Sequence, residues 1–490
     1  MTEVHLNYVG SWSGSAEGRT YRREVPSATA ELVGVFAEST PSDIEHAVEL
    51  ATAAQPDWAR RTAIARADVL STAADLIRQR AAEIGRALSW EEGKPLREAV
   101  AEVHRGAAAL AYCANYAYQS TGVTFASATP GVVKHQRLAP LGVVSIITPY
   151  NFPAFVALCK TGAALMAGNT ILWKPSPLTP LTGIHLVRAF VDAGLPAGVL
   201  SYLTGTSTEL GQGLVTHPGI DAVSFTGSTQ VGKKIAASAV AHDKRAQAEM
   251  GGQNPALVFS DADLDHAAAC IVDGAFGGTG QRCTSTARVL VERDVADELT
   301  AQIVQRAQEL RIGRSLDEHT QIGPMVSEPA RAKVAAAVEV ARHEGAKVLT
   351  GGDTPFGGLF EDGYYYPPTV LSTVTTDMTI AREEVFGPTL AIIEVADRDE
   401  AIALANATEY GLSASVHTRS LKWAERFAHG VTAGSLNVNL PTSGIEAHVA
   451  FGGLKDSGSG PPELGPDAMR FFSNQVTVST FAAPNSEQIR

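Results

Sequence analysis

The chain has 490 residues, too long for one compact domain and long enough for two or three units of ~100–200 residues. It carries 39 Lys and Arg against 52 Asp and Glu, a net charge of −13, and no acidic or basic tail. That balance argues against a nucleic-acid or anionic-membrane partner, which needs a basic face. A hydrophobic fraction of 45% with 45 glycines indicates a globular α/β protein.

The four cysteines, Cys113, Cys159, Cys270 and Cys283, form no C-x-x-C pair and show no metal-ligand spacing. Neither a disulfide scaffold nor a metal site is expected, and a reducing compartment is. Met1–His5 lacks the basic start and apolar run of a signal peptide, and no stretch of about 18 uninterrupted apolar residues occurs. A cytoplasmic protein without a membrane span is the expectation.

In chain order, residues 42–120 read as helical. Ser42-Asp43-Ile44-Glu45 has the capping-box pattern, Val69, Ala73, Leu76, Ile77, Ile84 and Leu88 follow at helical spacing, and a further helix starts at Pro95. From residue 140 short apolar runs at 142–147, 169–174, 198–203 and 221–225 alternate with amphipathic segments at 154–167, 181–193, 208–216 and 229–240. This alternation predicts a parallel sheet with crossover helices, whose ligands lie beyond the carboxyl ends of the strands. A second series follows, with strands at 255–259, 287–292 and 389–395 and helices at 263–275, 294–310 and 328–344. Residues 351–368 read as an irregular excursion, and the two lobes meet near residue 250.

The turns after these strands hold the candidate chemistry. No G-x-G-x-x-G is present, and Gly227–Lys234 departs from a P-loop because Lys234 stands where a hydroxyl is required. What remains at Phe225-Thr226-Gly227-Ser228 is a helix start able to face a phosphate, or a plain strand–helix turn. Lys174 closes an apolar strand and either reaches a ribose or phosphate or snorkels to solvent. Asn151 offers an amide donor to an oxyanion, or bonds its own turn. Cys283 follows a glycine-rich stretch that admits a ligand, with Arg282 placed to favour its thiolate. The other three thiols sit in apolar helical surroundings and read as packing. Glu249, in an otherwise uncharged stretch, is a general base with a raised pKa or a helix-end carboxylate.

Taken in order, these segments resemble the NAD(P)-dependent aldehyde dehydrogenase superfamily, from about residue 5 to 480. The resemblance rests on Pro149–Pro153, Gly168-Asn169-Thr170 through Lys174-Pro175, Phe225–Thr229, Glu249–Gly252 and Gly280–Cys283, then on Glu384–Pro388, Asn439 and Phe451–Gly453. It implies an aldehyde dehydrogenase-like α/β fold with three parts. These are a Rossmann-like dinucleotide domain (1–118 and 138–250), a catalytic α/β domain (251–467) and a small β bridging segment (119–137 and 468–490) that makes homodimers or homotetramers.

The resemblance also implies roles. Cys283 attacks the aldehyde, Asn151 and the Cys283 backbone N–H hold the oxyanion, and Glu249 activates the water that hydrolyses the thioester. Thr148, Pro149, Tyr150, Lys174, Ser176, Gly211, Phe225, Gly227, Ser228, Glu384 and Phe386 would surround NAD or NADP. NADP would be tolerated because Pro177 stands where many NAD-preferring members carry Glu. Tyr150 replaces the commoner Trp and Gln230 the commoner Glu. Retention of Glu249 favours hydrolysis over transfer to coenzyme A.

Arg282, Thr284, Phe152 and Phe451 match positions lining the aldehyde tunnel, and a guanidinium beside the thiol would either pair with a substrate carboxylate or point into the protein and pair with a neighbouring carboxylate. The tail Ser457–Gly465 is similar to that of α-ketoglutaric semialdehyde dehydrogenases, so the expected small-molecule substrate is a short semialdehyde acid. A broad-specificity or neutral-aldehyde dehydrogenase is the alternative within the family, and a cofactor-independent thiol esterase the alternative outside it.

Overall fold

The computed structural model describes residues 4–119, 122–354 and 357–481; parts of the expected bridging and irregular segments (120–121, 355–356 and 482–490) lie outside the described residues. Two sheets organise the chain. The first has eight strands, in the order Gly458–Ser459, Arg245–Glu249, Ala222–Thr226, Val143–Ile147, Thr170–Lys174, Leu200–Tyr202, Asn7–Val9 and Ser11–Ser13. Its five central strands run parallel and its edges are antiparallel. The central strands Val143–Ile147 and Thr170–Lys174 are buried throughout, as continuous apolar runs in a doubly covered parallel sheet must be.

Helices α1 (Pro41–Arg60), α2 (Ala63–Gln79), α3 (Ala81–Glu92) and α4 (Leu96–Ala114) precede the parallel strands of this sheet in sequence, and α5 (Phe155–Met166), α6 (Pro180–Asp192), α7 (Thr208–Thr216) and α8 (Thr229–Ala241) connect its strands. The first helix begins earlier than its Ser42 capping pattern suggests. Thr40 is the N-cap and Pro41 opens the helix, because proline's fixed φ suits the first helical position. The Asp43 carboxylate accepts from Thr40 N–H at 2.8 Å, which is the reverse half of a capping box. Helices α4 and α5 pack closely through small residues: a Cβ on Gly106 would lie 2.8 Å from Leu158 Cδ1.

The second sheet has seven strands, in the order Lys347–Thr350, Thr369–Ser372, Thr389–Val395, Thr286–Glu292, Asn254–Val258, Ser413–His417 and Ser435–Val438. All pair in parallel except Lys347–Thr350 at the edge. Helices α9 (Leu264–Phe276), α10 (Arg293–Gln308) and α11 (Glu328–Glu344) accompany it. The seam between the sheets falls between Glu249 and Asn254. The chain later returns across it, since Gly458–Ser459 pairs with Arg245–Glu249, and Ala468, Phe471 and Phe472 join the first core.

A third sheet, antiparallel, joins Gly122–Phe125, Val132–Pro140 and Ser473–Phe481. It leaves Val123, Phe125, Val133 and Phe481 exposed. Among the described residues no helix is long and apolar enough to cross a membrane.

Candidate active site

The carboxyl ends of the first sheet's strands open into a cavity of about 900 Å³ whose far wall comes from the second lobe. Thr148, Pro149, Tyr150, Asn151 and Phe152 line it from the turn after Val143–Ile147, and Lys174 and Ser176 from the turn after Thr170–Lys174. Gly211, Phe225, Gly227 and Ser228 close one side, and Cys283, Glu384 and Phe386 the other. Four candidates lie off this lining: Glu249, Arg282, Thr284 and Phe451.

At the end lined by Lys174, Gly227 and Ser228 the cavity offers donors that suit an anion or a sugar hydroxyl. Ser228 is the N-cap of α8 and makes no side-chain capping bond, so the helix's first N–H groups stay available to a ligand. Gly227 has no room for a side chain, because a Cβ would lie 2.5 Å from the Phe225 ring. Burial pushes the Lys174 ammonium down to about 8, partly offset by Glu38, and among the described residues its one hydrogen bond is a long one to Pro175 O at 3.4 Å. Glu384 accepts from Gly252 N–H at 3.0 Å, while burial raises its carboxyl to about 7. Phe386 sits at φ +61° and meets Tyr150 edge to face at 5.9 Å.

Cys283 is reached through a tightly wound loop. Gly280 (φ +67°) lies against the Gly387 carbonyl, where a Cβ would be 2.2 Å from the oxygen. Thr279, a β-branched residue, holds φ +59°, a conformation costing about 1–3 kcal/mol. Its hydroxyl both donates to Gly323 O and accepts from Gly323 N–H, each at 3.2 Å, which holds the turn in place. Burial pushes the Cys283 thiol up to about 12, and the negative charges of Glu384, Glu249 and Glu463 add to the effect; the Thr284 N–H opposes it.

Arg282 does not offset that push, which corrects the reading of it as a cation beside the thiolate. Its guanidinium turns away from the thiol and donates to Glu98 Oε2 at 2.6 Å, beneath Gly277 and Gly278. Glu98 stands in the first turn of α4, and a carboxylate within reach outcompetes an open cavity for a half-buried guanidinium. Arg282 is therefore paired with Glu98 and lies off the lining of the cavity that Cys283 faces. Arg282→Ala should leave the ratio of kcat/KM for acidic and neutral aldehydes within about twofold of wild type; collapse of the preference for acids would restore the substrate role.

Thr284 is buried and off the cavity lining, with its carbonyl accepting from Thr442 Oγ1 at 2.7 Å. Phe451 packs with Phe152, Val156, Ile445 and Ala447 in an apolar cluster beside the cavity.

Glu249 ends a strand, Arg245–Glu249, where a helix end was the alternative to a general base. Its Oε2 accepts from Gly453 N–H at 2.9 Å, turned towards the returning segment. Burial raises its pKa well above the carboxylate range, Glu463 raises it further, and the Gly453 bond and Lys160 work against the shift. Behind it Lys160 of α5 pairs with Glu463, which also accepts from Thr226 Oγ1 at 2.6 Å.

Sequence reading passed over Lys160, Glu463, Lys94, Glu98 and Glu102. The signal for Lys160 was a single charge inside an apolar helix, where an unpaired ammonium is too costly to stand alone.

A family model described as "Aldehyde dehydrogenase family" matches residues 12–478. The chain is 39% identical over 476 residues to an alpha-ketoglutaric semialdehyde dehydrogenase of Bacillus subtilis, covering 97% of this chain and 98% of that protein. It is 39% identical over 480 residues to an alpha-ketoglutarate semialdehyde dehydrogenase of Haloferax volcanii, covering 98% and 99%. Among solved structures, an NAD-dependent aldehyde dehydrogenase from Sinorhizobium meliloti superposes with a TM-score of 0.95 at 36% identity, covering 100% of this chain and 97% of the other. A betaine aldehyde dehydrogenase variant from Staphylococcus aureus in complex with NAD+ gives 0.95 at 30% identity, covering 98% of each.

Proposed function

The chain belongs to the aldehyde dehydrogenase family and is an aldehyde-oxidising oxidoreductase; we propose that it oxidises a short semialdehyde acid, of the α-ketoglutaric semialdehyde type, with NAD through a thioester on Cys283. The observation that carries this reading is the convergence of Cys283, Asn151 and the dinucleotide-facing residues on one cavity. The substrate class is supported by the names of relatives 39% identical over nearly the whole chain.

The cavity fits a dinucleotide in size and in lining, having an uncapped helix start, a buried Lys174 with one long contact, and an edge-on aromatic pair. Lys174 and Glu384 would hold ribose hydroxyls, Ser228 and the start of α8 the pyrophosphate, and Tyr150 with Phe386 the nicotinamide end. When bound, NAD supplies the hydride acceptor and a cationic ring that offsets the negative surroundings of the thiol. The Cys283 sulfur, as the thiolate once its proton has passed to solvent water, then adds to the aldehyde carbon, and the Asn151 amide with the Cys283 backbone N–H stabilises the oxygen as it takes up charge. After oxidation, Glu249 takes a proton from the water that attacks the thioester, and the acid leaves with Cys283 restored.

Among the described residues Glu384 is the sole carboxylate on the lining, and Pro177 stands there without charge. A 2′-phosphate meets no repulsion at Pro177, so NADP should serve alongside NAD. The test is formation of reduced nicotinamide, followed by its near-ultraviolet absorbance, across a panel of acidic and neutral aldehydes with both cofactors. Activity with the semialdehyde acid is expected, with Pro177→Glu raising KM for NADP about 10–100-fold while sparing NAD. Failure of every aldehyde with either cofactor contradicts the proposal. The exposed apolar residues of the third sheet suit it to join copies into a dimer or tetramer; a monomeric mass by light scattering would sink that assignment.

A further inference from the structure

A buried ion pair lies directly behind the turn that carries Asn151. Lys94, in the link between α3 and α4, is 3% exposed, and Glu102 of α4 is fully buried. Lys94 Nζ donates to Glu102 Oε2 at 2.6 Å and to the main-chain carbonyl of Asn151, and it stands 4.4 Å from the Phe152 ring centroid. The other oxygen of Glu102 accepts from Ala154 N–H at 2.9 Å and Phe155 N–H at 3.2 Å, two of the free donors at the start of α5. Lys94 is itself held in place, because its N–H donates to Glu92 Oε2 at 2.9 Å and its carbonyl accepts from Ser89 Oγ at 2.7 Å.

We propose that Lys94 and Glu102 are positioning residues for the oxyanion: together they clamp the backbone of residues 151–155 so that the Asn151 amide points at the carbonyl oxygen bound beside Cys283. This rests on the reading of Asn151 as an oxyanion donor.

Three observations support it. The pair grips the turn at both ends, at the carbonyl of Asn151 and at the N–H groups three and four residues on, and this fixes the direction of the Asn151 Cα–Cβ bond. The Asn151 side-chain amide takes no partner among the described residues, so only its own backbone aims it. Neither Lys94 nor Glu102 lines the cavity, so neither can act on the substrate directly. Packing alone does not require them. Helices α4 and α5 already meet through small residues, and an ion pair taken out of water is more costly than a hydrophobic pair of the same shape. A preorganised donor repays that cost, since a displacement of about 1 Å at such a group costs about a hundredfold in rate.

A double-mutant cycle separates positioning from general destabilisation. Lys94→Met, Asn151→Ala and the double variant are compared in kcat, in KM for NAD and in melting temperature. Lys94→Met is expected to lower kcat about 30-fold or more when Asn151 is present and less than about threefold when it is already Ala, with KM for NAD within about threefold throughout. Lys94→Arg, which keeps the cation, should recover most of the lost kcat. If Lys94→Met does not fold, the same cycle is run with Glu102→Gln, which keeps the shape and removes the charge.

An equal fold-loss in both backgrounds, or a loss carried by KM for NAD, overturns the positioning role. Full kcat in Asn151→Ala alone instead overturns the oxyanion reading on which the proposal stands.

Discussion

Cys283→Ala is expected to lower kcat for aldehyde oxidation by about 10⁴-fold or more, with NAD binding and melting temperature close to wild type. The size follows from the absence of a substitute. Cys113, Cys159 and Cys270 are buried in helices, and burial raises the pKa of each thiol. Cys283 is the one cysteine on the cavity lining. Without the sulfur there is no covalent adduct, and the hydrated aldehyde would have to give up hydride unaided. Removing the side chain leaves the loop's own anchors intact, because these are the Thr279 hydroxyl and the Gly280–Gly387 contact. Cys283→Ser should be nearly as inactive: a hydroxyl is harder still to ionise among the negative charges of Glu384, Glu249 and Glu463, which already raise the pKa of the thiol.

Glu249→Gln produces the second large effect, and it separates the two halves of the reaction. Formation of the thioester needs the sulfur and the oxyanion donors; its hydrolysis needs a base. The variant is expected to release about one equivalent of reduced cofactor in a rapid burst and then turn over about 10²–10³-fold more slowly than wild type. In wild type the sign of the pH dependence follows from the raised pKa of Glu249. Because its pKa is raised, Glu249 holds its proton to higher pH than an ordinary carboxyl and cannot act as a base until it is ionised, so hydrolysis rises with pH, by up to about tenfold per unit, over that range. The Gln variant should lose that rise. Loss of the burst together with turnover would place Glu249 in the first half-reaction and contradict its assignment as the base.

The parallel strands were legible because each is a short run of apolar residues closed by Gly, Pro or a lone polar residue, as in Ile171-Leu172-Trp173-Lys174. Arg245–Glu249 was not, since Arg-Ala-Gln-Ala-Glu has no such run. It is a strand because Ala222–Thr226 and Gly458–Ser459 pair with it on either side, and because Gln247 reaches Ser224 and the carbonyls of Pro461 and Pro462. These partners are distant in sequence. The same limit explains Arg282: its neighbours in the chain suggest a cation beside a thiol, and only the fold brings Glu98 beneath it. Residues that face the cavity directly were readable from motif and position in the turn. Those that hold them from behind, Lys94 and Glu102 above all, announce nothing in sequence, because each looks like an ordinary surface charge until α4 is laid against α5.

The claim at the centre of this account is that the aldehyde carbon is carried on the Cys283 sulfur. Its most direct measurement is acid quenching of Glu249→Gln within the burst, with NAD and the semialdehyde acid present, followed by peptide mass spectrometry. The account predicts one acyl group on the peptide containing Cys283, in step with the reduced cofactor formed and released by hydroxylamine. Reduced cofactor accumulating with that peptide unmodified, or an acyl group on another residue, would contradict it.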